Sequence, residues 1–276
     1  MKQNNNNEKI LKSSLSTLLK RFSSTDVITT LDKEYSSSSG KVPISLVDDN
    51  KILKKARINE KKLETTMATI SEKGIASPVL VTQKDNRYEV IYPRIVYIAA
   101  LKLKFDTLPV TVLNLEEEET LVFLASQIRD SKGSNIVELS LLLNALQKKY
   151  KYRQVEIASM MGQSRSQITN IMRLIKMPEW VLRDISNDKL SFGHARVLSG
   201  MPEDKLKEVV STIYENNLSV RQLEALFIAD EHKDLYETLE KKIDKKYKCK
   251  TTVKSKRVIL DFESENDIEK FLKKIK

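Results

Sequence analysis

The sequence predicts a mainly α-helical chain with a small α/β unit near its N-terminus, a helix-turn-helix DNA-binding domain, and a helix followed by a small ββα domain at its end. Three observations carry this. Residues 153–176, RQVEIASMMGQSRSQITNIMRLIK, place Ala158, Gly162 and Ile168 at the spacing of two short helices joined by a tight turn. Residues 78–92 alternate apolar and polar residues about the turn Lys84-Asp85-Asn86, as paired strands do. Residues 251–262 repeat that pattern ahead of a last helical stripe.

Taken in order, residues 1–41 read as a disordered tail, because Asn4 to Asn7 and Ser36 to Ser39 are low-complexity tracts lacking core residues. Within it Ile10, Leu11, Leu15, Leu18 and Leu19 recur at helical spacing among Lys9, Lys12, Lys20 and Arg21. Such a segment either folds on a partner or packs on the chain's own body. From Val42 to about Leu115 the pattern is mixed. Leu63, Met67 and Ile70 form the stripe of a helix ending at Gly74. Pro78 opens a strand through Val79 and Val81, and Tyr88, Val90 and Tyr92 begin its return. A helix through Ala99 and Leu103 and a strand at Leu108 to Leu113 complete the unit.

After Glu116 the chain reads as helix to about Lys248, with turns at Lys132-Gly133, Gly162, Pro178 and Asn216-Asn217. Strands at Thr251 to Val253 and Val258 to Phe262 precede a helix capped at Ser264 and carrying Ile268, Phe271, Leu272 and Ile275. Two short strands cannot bury a core alone, so this end is expected to dimerise. The domains are therefore a tail over 1–41, an α/β domain over 42–130, a helix-turn-helix domain over 131–229, and a helix plus dimerisation domain over 230–276.

Composition points the same way. Forty-eight Lys and Arg against 38 Asp and Glu give a formal charge of +10, which favours a polyanionic partner through counterion release. Aromatic residues make up only 6% of the chain, too few for a binder that stacks single-stranded bases. One cysteine, Cys249, excludes an internal disulfide, and two histidines, His194 and His232, leave little for a metal site. A reducing cytoplasm is expected, with no apolar run near the roughly 20 residues of a membrane span.

In the helix pair, Ala158 lets the helices cross closely, Gly162 takes the positive φ of the turn, and Ile168 with Ile157 and Ile171 fills the wedge. The outer face then presents Ser164, Arg165, Ser166, Gln167, Thr169, Asn170 and Arg173, side chains suited to base edges and phosphate oxygens. With Gln154 at the start of the first helix, these are candidate DNA contacts. An amphipathic hairpin whose polar face meets water is the plainer alternative. Lys241, Lys242, Lys245, Lys246, Lys248 and Lys250 fit either phosphate contacts or a solvated face.

Further runs show a resemblance over nearly the whole chain. GQSRSQITNIMRLIKMPEWV, KLSFGHARVL and LSVRQLEALF resemble, in order and spacing, signature runs of the ParB family of chromosome and plasmid partition proteins. LETTMATISEKGIASPVLV resembles the family's N-terminal domain, LKSSLSTLLK its ATPase-engaging segment, and KTTVKSKRVILDFESENDIEKFL its dimerisation domain. The resemblance implies a nucleoid-associated homodimer that binds a palindromic centromere-like site on double-stranded DNA, spreads on flanking DNA and stimulates a ParA-type ATPase. It places His194 and Arg196 near the DNA backbone, although residue type alone makes His194 a packing histidine in a turn. Leu11, Leu15, Leu18, Leu19 and Lys20 would meet the ATPase.

The resemblance also implies CTP and magnesium, and here the sequence departs from the pattern. The family's GERRxRA run, whose arginines neutralise the triphosphate, aligns with Pro93-Arg94-Ile95-Val96-Tyr97-Ile98-Ala99. Its ENxQR run aligns with Gln127-Ile128-Arg129-Asp130-Ser131. What is left of the nucleotide site is Gly74, Ser77, Arg94 and Gln127. The expectation is therefore no cofactor, no metal and no catalytic residues. A DNA-partition adaptor comes first, a nucleoid-occlusion or transcriptional regulator second, and a CTP-dependent sliding clamp third.

Overall fold

The computed structural model describes residues 36–131, 133–247, 249–254 and 257–275. The segment carrying Leu11, Leu15, Leu18, Leu19 and Lys20 lies outside these. Its contacts divide the chain into one unit through Glu203 and a second from Asp204.

The hairpin about Asp85-Asn86 organises the first unit. Strands β3 (Val79–Lys84) and β4 (Arg87–Tyr92) pair antiparallel with Lys84 opposite Arg87. Asp85 takes φ 53, a left-handed value that Asp tolerates better than most residues. Val79, Val81 and Val90 are thereby wholly buried. Strand β5 (Thr107–Leu113) joins β3 in parallel, β1 (Ser36–Pro43) runs antiparallel to β5, and β2 (Val47–Asp48) lies parallel to β4. The sheet order is β1-β5-β3-β4-β2.

Strand β1 differs from the sequence reading, which placed Ser36 to Ser39 in a tail. Ladder pairing uses backbone groups that every residue except proline carries in full, so a serine tract can serve as an edge strand once β5 offers a template. Ser39 adds a side-chain hydrogen bond to Thr111, Oγ to Oγ1, at 3.0 Å.

Helix α1 (Glu60–Lys73) begins at Asn59, whose side chain accepts from the Lys62 N–H, and ends at Gly74 with φ 73. Its stripe of Leu63 and Ile70 packs on Ala99 of α2 (Arg94–Lys102), with Ile95, Val96 and Ile98 around it. Then come α3 (Glu117–Asp130), α4 (Ile136–Tyr150), α5 (Gln154–Met161), α6 (Arg165–Arg173), α7 (Glu179–Ser186) and α8 (Phe192–Leu198). A single hydrophobic cluster runs from Ile91 and Leu113 of the sheet through Phe123, Leu142, Leu143 and Leu146 to Ile157, Ile168 and Ile171. The α5–α6 pair is thus built on the same core as the end of the sheet.

The second unit holds α9 (Glu203–Asn216) from its second residue on, α10 (Val220–Tyr247), strands β6 (Lys250–Lys254) and β7 (Arg257–Asp261), and α11 (Glu265–Ile275). Ser264 Oγ accepts from the Asp267 N–H at 3.3 Å, which caps α11. Tyr247 and Phe262 both pack on Phe271, with ring centroids 4.9 and 5.1 Å away. Even so Val258, Ile259, Ile268 and Leu272 stay exposed, Leu272 to 56%. Among the described residues no helix is long and apolar enough to cross a membrane.

Ile168 is fully buried in the α5–α6 wedge, so Ile168→Ala is expected to lower stability by about 2–5 kcal/mol. Urea denaturation followed by circular dichroism measures this, and a loss below about 1 kcal/mol would mean the wedge is not close-packed.

Candidate nucleic-acid interface

Local chemistry builds the helix pair. Gly162 ends α5 in the left-handed region, φ 57 and ψ 31, where glycine carries no steric cost. Two residues later Ser164 starts α6. Its hydroxyl accepts from the Gln167 N–H at 3.1 Å, and Gln167 Oε1 accepts from the Ser164 N–H at 3.2 Å, a closed capping box. Ile157 and Ile168 are wholly buried, and Ala158 and Ile171 nearly so. Arg129 of α3 donates from Nη1 to the Met161 carbonyl at 2.8 Å, tying the end of α5 to the body.

The predicted contact residues then sort by what their polar atoms already do. Ser164 and Gln167 serve the cap. The Thr169 hydroxyl lies 2.9 Å from Gln154 Oε1 and 2.8 Å from the Arg165 carbonyl, so its single proton stays within the helix pair. His194 caps α8: its N–H donates to Ser191 Oγ at 3.2 Å and its Nδ1 accepts from the Ser191 N–H at 3.3 Å. On α6 that leaves Arg165, Ser166, Asn170 and Arg173, of which Arg165, Ser166 and Arg173 stand exposed on its outer face, and Arg196 stands exposed on α8.

Six of the ten predicted residues line one groove of about 660 Å3: Gln154, Arg165, Ser166, Thr169, Asn170 and Arg173. Ser164, Gln167, His194 and Arg196 do not line it. Four further residues do, Asn144 and Gln147 from α4, Met172 from α6 and Lys176 just past it. The sequence reading missed them. Asn144 is held in place, donating from Nδ2 to the Met172 carbonyl at 3.0 Å and to the Ser140 carbonyl at 2.8 Å. Among the described residues no carboxylate lines the groove, while Arg165, Arg173 and Lys176 give it three cations. A groove of that charge, edged by amide side chains, suits a phosphodiester backbone with base edges behind it.

A second cavity, of about 950 Å3, lies elsewhere in the first unit. It draws Pro93, Arg94 and Ile95 from the first run aligned with the family's nucleotide motifs, and Ile128 and Ser131 from the second. Gly74, Ser77 and Gln127 do not line it. Arg94 does not offer its guanidinium to the space. It is 8% exposed and binds Asp49 through two bonds, Nε to Oδ1 at 2.8 Å and Nη2 to Oδ2 at 2.9 Å. Its Nη1 donates to Glu138 Oε1 at 2.8 Å and to the Ala56 carbonyl at 3.1 Å.

Burial alone would lower the Arg94 pKa, but its hydrogen bonds to Asp49 and Glu138 outweigh this and raise it. Burial pushes the Glu138 carboxyl above its usual range, against the pull of Arg94. Lys62 is likewise engaged, with Asp188 at 2.7 Å and the Gly133 carbonyl at 2.8 Å. A nucleoside triphosphate does not fit this lining: the buried cation is satisfied, two carboxylates stand beside it, and the next residue, Ile95, is apolar and packs on the Leu63, Ile70 and Ala99 cluster.

Residues 29–127 match the family model described as the ParB N-terminal domain, and residues 132–232 the one described as the ParB HTH domain. A probable chromosome-partitioning protein ParB of Pseudomonas putida is 28% identical over 186 residues, 67% of this chain and 64% of that protein. The chain therefore spans just under two thirds of that relative's length. A nucleoid occlusion protein of Lysinibacillus sphaericus is 28% identical over 213 residues, 76% of this chain and 72% of that one. A crystal structure of the C-terminally truncated chromosome-partitioning protein ParB from Caulobacter crescentus, complexed to the centromeric parS site, aligns at 26% identity with a TM-score of 0.40. It covers 68% of this chain and 98% of that one.

Thr169→Val is expected to cost about 0.5–1.5 kcal/mol of stability by removing the hydroxyl bridge to Gln154, whereas Arg165→Ala should stay within about 0.5 kcal/mol of the parent. Parallel urea titrations decide, and equal losses would mean the outer face is also structural. Isothermal titration with CTP and Mg2+ is expected to give no saturable heat up to millimolar nucleotide. A micromolar dissociation constant would refute the misfit of the cavity.

Proposed function

The chain belongs to the ParB family, and from that premise we propose that it is a sequence-specific DNA-binding partition protein. It binds a palindromic, centromere-like site on double-stranded DNA as a dimer and couples that site to a ParA-type ATPase for DNA segregation on the nucleoid. The observation that carries the reading is the groove without carboxylates, in which Arg165, Arg173 and Lys176 flank Ser166 and Asn170. The first turn of α6 would enter the major groove, with the exposed cations on the phosphates and Asn170 and Ser166 on base edges. His194 and Arg196, at α8, would extend the backbone contacts.

A palindrome requires a two-fold protein. The exposed Val258, Ile259, Ile268 and Leu272 of the second unit offer apolar surface for a second copy. Coupling to an ATPase rests on the amphipathic basic segment Leu11 to Lys20, which a pure regulator has no reason to carry. A second reading, a nucleoid-occlusion or transcriptional regulator, is favoured by the similarity to the Lysinibacillus sphaericus protein, which extends over 76% of this chain.

Crosslinking and mapping of bound DNA in cells separates the two. A broad domain around one palindrome, together with segregation defects on deleting residues 1–22, is the outcome for a partition protein; narrow peaks and unchanged segregation would sink it. In vitro, Lys176→Ala and Arg173→Ala are each expected to weaken binding about equally across sequences and to reduce the salt slope by about 1. Asn170→Ala should instead cost about 1–3 kcal/mol on the specific site alone. Competition binding at several salt concentrations tells these apart.

A further inference from the structure

The residues around Arg94 come from two parts of the first unit that nothing in the sequence joins. Asp49 and Ala56 belong to the connection between β2 and α1, and Arg94 opens α2. Glu138 lies in the first turn of α4, the helix that also lends Asn144 and Gln147 to the DNA groove. One guanidinium therefore ties the sheet, its following loop and the helical part together, through four hydrogen bonds at 2.8 to 3.1 Å.

This placement is not one that α2 itself favours. A cation at a helix N-terminus opposes the helix dipole, and burial of a lone charge is strongly unfavourable. Only the two carboxylates make the position tolerable, and Glu138 in turn sits where the dipole of α4 suits an anion. The surrounding links are weaker: Lys62 with Asp188 leaves both side chains largely in water, 42% and 63% exposed, as does Arg57 with Glu179. Asn59 adds hydrogen bonds from its uncharged amide, from Nδ2 to the Ser186 carbonyl at 3.1 Å and to Asp188 Oδ2 at 2.9 Å.

We propose that the Asp49–Arg94–Glu138 cluster is an internal tether that fastens the α/β part to the helical part permanently, in a cavity whose lining does not hold a polyphosphate. The charge that joins the two parts is covalently part of the chain, and their connection is independent of any nucleotide. The tether holds α4, and with it the floor of the groove beside α6, in one position relative to the sheet. It does not depend on what DNA, if any, the groove binds.

Hydrogen exchange with mass spectrometry on the full chain tests this, with and without CTP and Mg2+. Residues 49–56 and 136–140 are expected to exchange identically in both conditions. In Arg94→Gln the same residues should exchange at least about tenfold faster, with residues 154–173 unchanged. If Arg94→Gln does not fold by circular dichroism, the double variant D49N/E138Q, which keeps the arginine and removes the two charges it holds, should loosen the same residues. Altered exchange on adding CTP, or variants that exchange like the parent, would overturn the tether.

Discussion

A buried guanidinium must be matched by anions, and much of the first unit is arranged around meeting that need at Arg94. The matching groups are distant in sequence: Asp49 precedes the sheet's central hairpin and Glu138 follows all five strands. Bringing them within 2.9 Å of one side chain requires the β2–α1 connection, α2 and α4 to converge. Apolar packing supplies the convergence. Leu53 from that connection, Ile91 from β4, Phe123 from α3 and Leu142 from α4 share one core, so the ion cluster forms at the edge of a region already excluded from water. Hydrophobic burial drives the approach and the charges select its register, since an offset would leave a carboxylate buried without its partner.

The same core carries the helix pair. Ile157, Ile168 and Ile171 end the cluster that begins at the sheet, which leaves α6 with one face consumed by packing and one directed outward. Most polar side chains near its start are occupied in building it. Ser164 and Gln167 close the cap, and Thr169 with Gln154 bridges the two helices. Such groups hold the outward residues in place, and the groove gains its character from the remainder together with Lys176. Preorganisation of this kind lowers the ordering cost of binding.

In the second unit the acids of α10 have a structural use of their own. Asp244 and Glu240 accept from the Thr251 and Val253 N–H groups of β6, each at 2.7 Å. A two-stranded sheet has two edges, and this one has an edge satisfied by helix side chains instead of a third strand. The apolar residues left exposed on β7 and α11 join Leu226 and Leu239 of α10 as apolar surface that this unit does not cover within one chain.

The sequence by itself determined the elements whose signals are local. The Ala158-Gly162-Ile168 spacing, the Ser264 cap, the stop at Gly74 and the Asp85-Asn86 turn each depend on φ preferences or on bonds spanning about four residues, and each stands in the fold as read, whereas Ser164, read as an outward DNA contact, caps α6. The motif departures at Pro93 to Ala99 were equally legible, because missing arginines are visible in any conformation. Tertiary structure alone decided the partners of groups far apart in the chain. A serine tract became strand β1 because β5 lay beside it. Arg94, readable only as a displaced cation, became a buried link because Asp49 and Glu138 arrived from positions 45 and 44 residues away. Gln147 and Lys176 joined the groove for the same reason: exposed polar residues carry no mark of which neighbour a folded surface will give them, since long-range proximity follows from packing and not from residue type.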